Sequence, residues 1–581
     1  MPNLLAMSFE GELAPSFDLT CLGPEGKLPD GGGIGYYPGG EPSASVLKEP
    51  APPPGSIRSE LVKAWEHLES SLFLLHIRTA MWGSINDANT QPFCRTWGAR
   101  DWLFAHSGSL KSRVEVSERS PFEPVGSTDT EILFCELLKW FSERGARSLG
   151  DVEPAVLRDW FGQMNDLGAL TSVLTDGRDL VVYADRNGDG DAFFWNVFPP
   201  YDALAFSDAD LSVDLARRGV KSRKGIIVSS DQLEGRAGPA AAWERVPPGH
   251  MLVIRQGALR ALAVPPEAGT AGASAPAIPS HPMVLRPTKA EVRRFSVKHR
   301  TAYKYAERVE RSSHLLRLSP MHDRLQTLLH HELTVSVAGQ RRDYEDVFGN
   351  RVRRIVLETP FNELVIEARS EVELLDTDPL SFRPLHARGA IPIVWMPWQR
   401  QVLQPYLLPP ELPESELGEL TEYAMTFVQR NNYDLLETLL DLNASIHEEY
   451  EYKQGATNVF TTPFDVYANR RGVCQDFTNL FICLARLLSV PARYVCGYIW
   501  TGPKAANQAQ GEASHAWVQV YFPEVGWKGF DPTNGILTQT QHVRVAVGRN
   551  YVDATPTSGT IYVGGGAETL SVDVRVEAIE G

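Results

Sequence analysis

The chain has 581 residues, 43% of them hydrophobic and 22% charged, which is the balance of ordinary globular domains and not of disordered or fibrous sequence. The length predicts about four domains. A net charge of −16 argues against nucleic acid or an anionic membrane as the main partner, and no apolar run approaches the ~18–20 residues that span a bilayer. The first seven residues, Met1 to Met7, lack the basic segment and apolar length of a signal peptide. Six cysteines, at 21, 94, 135, 474, 483 and 496, form neither a CxxC pair nor a regular framework. That pattern predicts free thiols and a cytoplasmic location.

Taken in chain order, residues 1–263 form a first domain. Pro29-Asp30-Gly31-Gly32-Gly33-Ile34-Gly35-Tyr36 is followed by Phe73-Leu74-Leu75-His76-Ile77-Arg78-Thr79-Ala80-Met81-Trp82-Gly83, then Asn89-Thr90-Gln91-Pro92-Phe93. Next come Phe104-Ala105-His106-Ser107-Gly108, Gly126-Ser127-Thr128-Asp129-Thr130-Glu131, and Trp243 with Pro247-Pro248-Gly249-His250. Thr128 and Glu131 have the spacing of a capping box for a helix carrying Leu133, Leu137 and Leu138, and Asp129 suits its first turn.

This series resembles class II glutamine amidotransferase domains of the N-terminal-nucleophile type. The resemblance implies an αββα sandwich, with Arg78 gripping a glutamine α-carboxylate, Asp129 holding its α-amine and Gly108 beside the oxyanion hole. Asp129 thus has two readings, cap and ligand. Several positions depart from the family: Pro2 stands where the nucleophilic Cys belongs, Asn3 where Arg is usual, Gly32 where Trp is usual, and Ser107 where the oxyanion-hole Asn is usual. The expectation is a retained fold without glutaminase activity, still able to bind glutamine or glutamate. Asp185-Arg186-Asn187-Gly188-Asp189-Gly190-Asp191 matches the start of a calcium-binding loop, but its twelfth position is Asn196. Its flanks, Leu180 to Tyr183 and Ala192 to Trp195, read as strands, so a polar hairpin turn is expected and no metal site.

Residues 264–288 are predicted to be a linker, because 264–283 are rich in Pro, Ala, Gly and Ser without periodicity. From 289 to 378, alternation at Phe295, Val297 and His299, at Leu333, Val335 and Val337, and at Leu364, Ile366 and Ala368 predicts short strands of a β-sandwich. Phe348-Gly349-Asn350 marks a hairpin turn. Residues 379–581 then form a last domain, with helices over about 414–430 and 433–449 and a closing strand over 569–578, where Leu570, Val572, Val574 and Val576 alternate.

That last domain carries the chemistry. Gly472-Val473-Cys474-Gln475-Asp476-Phe477, Ser514-His515-Ala516-Trp517 and Phe530-Asp531-Pro532-Thr533-Asn534 supply a thiol, an imidazole and a carboxylate in that order. These are the parts of a cysteine nucleophile, its base and the acid that orients the base. Phe477, Leu480, Phe481, Leu484, Leu487 and Leu488 trace one helical face, with Pro491 as the expected stop. Cys474 therefore opens a helix, where unpaired N–H groups favour an anion and can donate to an acyl oxyanion. His515 begins a β-branched and aromatic strand, and Asp531 ends the next short one. Read singly, Cys474 is more readily a structural thiol and His515 a satisfied strand histidine; the three motifs together favour catalysis.

The run RRGVCQDFTNLFICLARLLSVPARYVCGY, followed by EASHAWVQVYFPEVGWKGFDPTNG and HVRVAVGRNYVDATPTSG, resembles bacterial transglutaminase-like proteins of the papain-like cysteine-enzyme superfamily. Asn479 stands where relatives often carry His. The resemblance implies Cys474 as nucleophile, His515 as general base and acid, Asp531 as its orienting residue, and a β-sandwich ahead of the catalytic core. The expected whole is a multidomain α+β protein that acts on peptide or protein glutamine or γ-glutamyl amides through a thioester, without a cofactor. Hydrolysis is preferred over amine transfer. An interaction scaffold with both enzyme-like domains degenerate is the alternative.

Overall fold

The structure is a computed structural model and describes residues 3–19, 30–40, 42–50, 68–78, 84–111, 120–208, 211–215, 222–265, 292–375, 389–458, 461–502, 514–523 and 525–579. The chain is multidomain and sheet-rich, and divides into two compact units, Met1–Ser280 and His281–Gly581. The predicted linker lies, apart from Val264 and Pro265, outside the described residues, as do Pro2 and the segment Thr79 to Gly83.

In the first unit a seven-stranded antiparallel sheet runs in the order Glu244–Arg245, Phe193–Val197, Gly225–Ser229, Leu4–Leu13, Ser70–Arg78, Gly31–Tyr36 and Ser45–Glu49. A six-stranded sheet faces it, centred on Leu180–Tyr183, Gly168–Thr175 and Arg100–Leu110. Leu4, Ala6, Leu72 and Leu74 from one sheet meet Leu103, Ala105, Val173 and Val182 from the other in a shared core. Period-two alternation drives this, since every second side chain of each strand must leave water on the same face. Helices Asp129–Glu143 and Pro154–Met164 cover the outer face of the six-stranded sheet through Leu133, Leu137, Phe141 and Phe161. Over the outer face of the seven-stranded sheet lies a small four-stranded sheet that includes Ser16–Leu19 and Leu211–Asp214. Two stacked sheets with one helical layer are thus present, but the second helical layer of an αββα sandwich is not among the described residues.

The loop read as a hairpin is not one. Leu180–Tyr183 belongs to the six-stranded sheet and Phe193–Val197 to the seven-stranded sheet, so Asp185 to Asp191 crosses between layers. Alternation reveals which residues are strand but not which sheet each strand joins. Asp185 is buried, its Oδ1 accepting from the Asn187 and Asp189 amides at 2.7 and 3.2 Å and its Oδ2 from the Leu170 amide and Asn165 Nδ2 at 2.6 and 2.8 Å. Its oxygens are used to hold the crossover.

In the second unit the long strand Val292–Leu316 organises everything. Its first half pairs with Phe361–Leu375 on one side and Glu568–Ile579 on the other; its second half pairs with Arg351–Leu357 and Thr557–Gly564. All seven strands form one hydrogen-bonded network, with Tyr305, Val309, Ile355, Leu357, Leu364 and Ile366 enclosed within it, so two separate sheets of a sandwich are not seen among the described residues. The closing strand at 568–579 is part of this sheet and not of the last domain's own sheet. Phe348-Gly349-Asn350 does turn a hairpin, joining Gln340–Glu345 to Arg351–Leu357 with Gly349 at φ +80°.

The remaining core packs helices Glu414–Arg430, Leu435–Glu449 and Cys474–Leu487 against a five-stranded antiparallel sheet. That sheet runs Ile536–Leu537, Gly526–Asp531, Ser514–Phe522, Ala492–Ile499, His542–Gly548. Helix Cys474–Leu487 is buried nearly all round, with Phe477, Leu480, Phe481, Cys483, Leu484 and Ala485 each at most 1% exposed. Burying each of its larger side chains contributes about 1.5–3 kcal/mol. It ends four residues before Pro491: Ser489 takes φ +60°, and Ser489 and Val490 donate back to Arg486 and Ala485. Proline forbids continuation, but the last turn closes earlier through these reversed hydrogen bonds.

Candidate active site

Val473 is the N-cap of helix Cys474–Leu487, which leaves Cys474 as the first helical residue, partly exposed while the helix behind it is buried. The entry is fixed by Asp476, whose Oδ2 accepts from the Val473 amide at 2.8 Å and from Thr457 Oγ1 at 2.6 Å. Burial pushes the Asp476 carboxyl up, opposed by those two hydrogen bonds. Just before it, buried Arg470 adopts φ +51° and donates to the hydroxyls of Tyr423 and Tyr450, both at 2.9 Å. Its guanidinium lies 4.8–5.0 Å from the ring centroids of Tyr423, Tyr450 and Tyr467. These contacts anchor the turn that delivers Cys474.

His515 sits at the start of strand Ser514–Phe522 and is paired with Gly497. A side chain at Gly497 would meet the Val543 carbonyl at 2.0 Å and the Trp517 ring at 2.6 Å, so only glycine lets the strands close here. His515 Nε2 lies 2.8 Å from Asp531 Oδ2, and both residues are buried. With Nε2 donating to the carboxylate, Nδ1 is the ring nitrogen left over, and Cys474 is near enough to His515 to influence its charge. Burial works against a charged His515, but the Asp531 carboxylate, its hydrogen bond and the contact with Cys474 outweigh it and raise the group to about 10. An imidazolium is therefore favoured at neutral pH.

Asp531, fully buried, ends strand Gly526–Asp531. Its Oδ1 accepts from the Thr533 and Asn534 amides at 3.1 and 3.2 Å. Its Oδ2 accepts from Asn534 Nδ2 at 2.7 Å, from His515, and from a second imidazole, His542 Nε2, at 3.0 Å. Burial would raise this carboxyl, but the charge and hydrogen bond of His515 and the hydrogen bond of His542 hold it well below the usual carboxylate range. Neither Asn534 nor His542 stands out in the sequence. Asn534 follows within the same motif, whereas His542 lies on a strand reached only by the sheet order.

His515, Asp531 and His542 are the one group among the described residues with the composition of a metal site, their ligand atoms within 4.8 Å of one another. Each imidazole Nε2 already donates to the same carboxylate oxygen, so hydrogen bonds account for the cluster, and a cation would have to displace both protons in a buried space.

The first-unit candidates are placed as follows. Arg78 ends strand Ser70–Arg78, opposite Gly31. Gly108 has φ +139°, and a Cβ there would lie 2.2 Å from the Ala169 carbonyl oxygen, so the position demands glycine for backbone reasons alone. Asp129 opens helix Asp129–Glu143, its Oδ2 accepting from the Leu110 amide at 2.9 Å and its Oδ1 from the Thr130 amide at 2.8 Å. Thr128 Oγ1 caps Glu131 N–H at 3.4 Å. The Glu131 carboxylate turns instead to the Val125 and Gly126 amides and Arg95, so only half of the expected capping box forms. The structure brings Cys474, His515 and Asp531 together, and ties Asp129 to the Leu110 amide on the strand that carries Gly108.

Residues 1–276 match the family described as glutamine amidotransferases class-II, residues 295–373 the bacterial transglutaminase-like N-terminal region, and residues 421–532 the transglutaminase-like superfamily. An uncharacterized protein of Mycobacterium tuberculosis is 31% identical over 305 residues, covering 50% of this chain and 94% of its own. A protein of Escherichia coli named "Putative glutamine amidotransferase YafJ" is 28% identical over 256 residues, 43% of this chain and 95% of its own. Among solved structures, a "Putative Cysteine Protease" from Cytophaga hutchinsonii is similar at 21% identity and TM-score 0.39, over 50% of this chain and 92% of that one. A predicted glutamine amidotransferase from Pseudomonas aeruginosa is similar at 23% identity and TM-score 0.37, over 45% and 99%.

Proposed function

Because the chain belongs to the transglutaminase-like superfamily and carries a class II glutamine amidotransferase domain ahead of it, we propose that its second unit is a cysteine-dependent hydrolase of peptide, isopeptide or γ-glutamyl amides, with Cys474, His515 and Asp531 as its triad. The observation that carries this reading is the buried His515, oriented by Asp531 at 2.8 Å with Nδ1 left for a cysteine at a helix start. The Cys474 thiolate attacks the amide carbon, and the oxyanion is met by the first N–H groups of the helix. The C–N bond breaks as His515 Nδ1–H protonates the leaving amine, giving a thioester on Cys474. His515 then takes a proton from water, which attacks the thioester, and the thiolate leaves. An amine in place of water would make the same site a transamidase.

Mass spectrometry of products from a library of glutamine- and γ-glutamyl-containing peptides, with and without an added primary amine, tests the proposal. Acid products with loss of ammonia or amine are expected. Products carrying the added amine would convert the reading to amine transfer, and no product from any peptide would leave the scaffold reading in force.

For the first unit we propose binding without turnover. Ser107 replaces the usual oxyanion Asn, and removing one such donor costs roughly 10²–10³ in rate elsewhere. Both Asp129 oxygens already accept backbone amides. The expected result is no ammonia release from free glutamine by a Cys474→Ala protein, with weak heat of binding by calorimetry. Steady ammonia production from that protein would make this unit an active amidase.

A further inference from the structure

His542 is a buried histidine that the proposed chemistry does not use, yet it touches the residue that orients the base. It lies on the far edge strand of the sheet, His542–Gly548, paired with Ile499. Its Nε2 is 3.0 Å from Asp531 Oδ2, the same oxygen that holds His515, and its ring lies edge-on to Trp517 with centroids 5.1 Å apart. Burial lowers its affinity for a proton, Asp531 opposes that, and the neighbouring His515 reinforces it, so His542 is the neutral member of the pair and His515 the charged one. A neutral imidazole that donates through Nε2 has a bare Nδ1. That Nδ1 is buried without a hydrogen-bond partner, as is the indole N–H of Trp517. Because the Asp531 carboxylate only accepts, the His542 proton sits on Nε2 and is given to Asp531.

We propose that His542 is a positioning residue: a second imidazole that clamps the Asp531 carboxylate so that His515 presents Nδ1 to Cys474. This rests on the triad reading of Cys474, His515 and Asp531. The physical need is clear. A carboxylate with 0% exposure is tolerable only when its lone pairs are filled, and Oδ1 is held by two backbone amides while Oδ2 depends on side chains. Of the three donors on Oδ2, His515 must be free to exchange its proton at Nδ1 and to adjust during the reaction. Asn534 and His542 are the fixed ones.

The test is the rate at which iodoacetamide alkylates Cys474 in the full chain at neutral pH, followed by peptide mass spectrometry. This readout needs no substrate. The variants are His542→Gln, His542→Asn and His542→Phe, with Asp531→Asn as reference. A glutamine amide nitrogen reaches about as far as imidazole Nε2, whereas an asparagine amide reaches only the place of Nδ1. Gln should therefore keep the rate within a few-fold. Asn and Phe should slow it roughly 10–100-fold, the usual cost of losing the partner that orients a functional histidine. Gln and Asn are both polar and compact, so this contrast survives if the Phe protein fails to fold, and a purely structural role predicts no difference between them at equal melting temperature. Equal rates for wild type and His542→Asn, with Asp531→Asn slow, would overturn this inference and leave the triad standing. An unselective wild type, or an Asp531→Asn protein as fast as wild type, would remove the triad and this inference with it.

Discussion

Cys474→Ala is expected to remove turnover entirely, a fall of roughly 10⁴-fold or more, while the protein keeps its fold and melting temperature. Two structural facts separate the chemical from the structural cost. Cys474 is partly exposed at the first turn of its helix, so losing the sulfur opens no internal cavity. The helix is held by Phe477, Leu480, Phe481 and Leu484, which the substitution does not touch. Before any mutation, sub-stoichiometric iodoacetamide should already single out Cys474. Burial pushes the thiols of Cys94 and Cys135 up to about 11 and those of Cys483 and Cys496 up to about 12, which leaves little thiolate on any of them at neutral pH. Among the described cysteines, only Cys474 has an imidazolium beside it. Alkylation spread evenly over the cysteines, or an alanine protein that still turns over substrate, would mean that the nucleophile lies elsewhere.

Much of this site was legible in the sequence because local rules determine it. The helix from Cys474 follows from apolar spacing, the strand carrying His515 from its β-branched and aromatic residues, and the order of the three motifs from their resemblance to a known family. What stayed hidden depends on which strand neighbours which. His542 reaches Asp531 because the strand His542–Gly548 pairs with Ala492–Ile499, and no local pattern announces that pairing. The same gap explains the crossover at Asp185 to Asp191, where two well-read strands belong to different sheets. It also explains the closing strand Glu568–Ile579, whose alternation was plain but whose partner, Val292–Leu316, is over 250 residues away. Helix ends were the second weak point. Proline marks where a helix cannot continue, but at Ser489 reversed hydrogen bonds end it sooner.

Asp531→Asn is expected to lower turnover by a factor on the order of 10²–10⁴ and to change its pH dependence in a definite direction. In the native site Asp531 is the largest cause raising His515 to about 10 against the opposing effect of burial. With the carboxylate replaced by an amide, burial is left to dominate, and the His515 imidazolium is lost at lower pH. The alkaline limb of the pH–rate profile should move from near 10 towards neutrality. Stability follows the same sign. A histidine whose folded pKa is raised above its unfolded value of about 6.5 contributes stability that is fully present below that value and is lost as pH rises towards 10. The wild type should therefore lose melting temperature across the interval from about 6.5 to 10, and the Asn protein should show a smaller loss there. Asparagine also cannot satisfy the site. Oδ2 faces three donors and Oδ1 faces two backbone amides, so whichever way the amide turns, its NH₂ meets N–H groups. A buried donor left unpaired costs about 1–3 kcal/mol, which should appear as a lower melting temperature at every pH, separable from the pH-dependent part. If Asp531→Asn keeps both the wild-type rate and the alkaline limb near 10, another acid orients His515, and the buried carboxylate serves the fold alone.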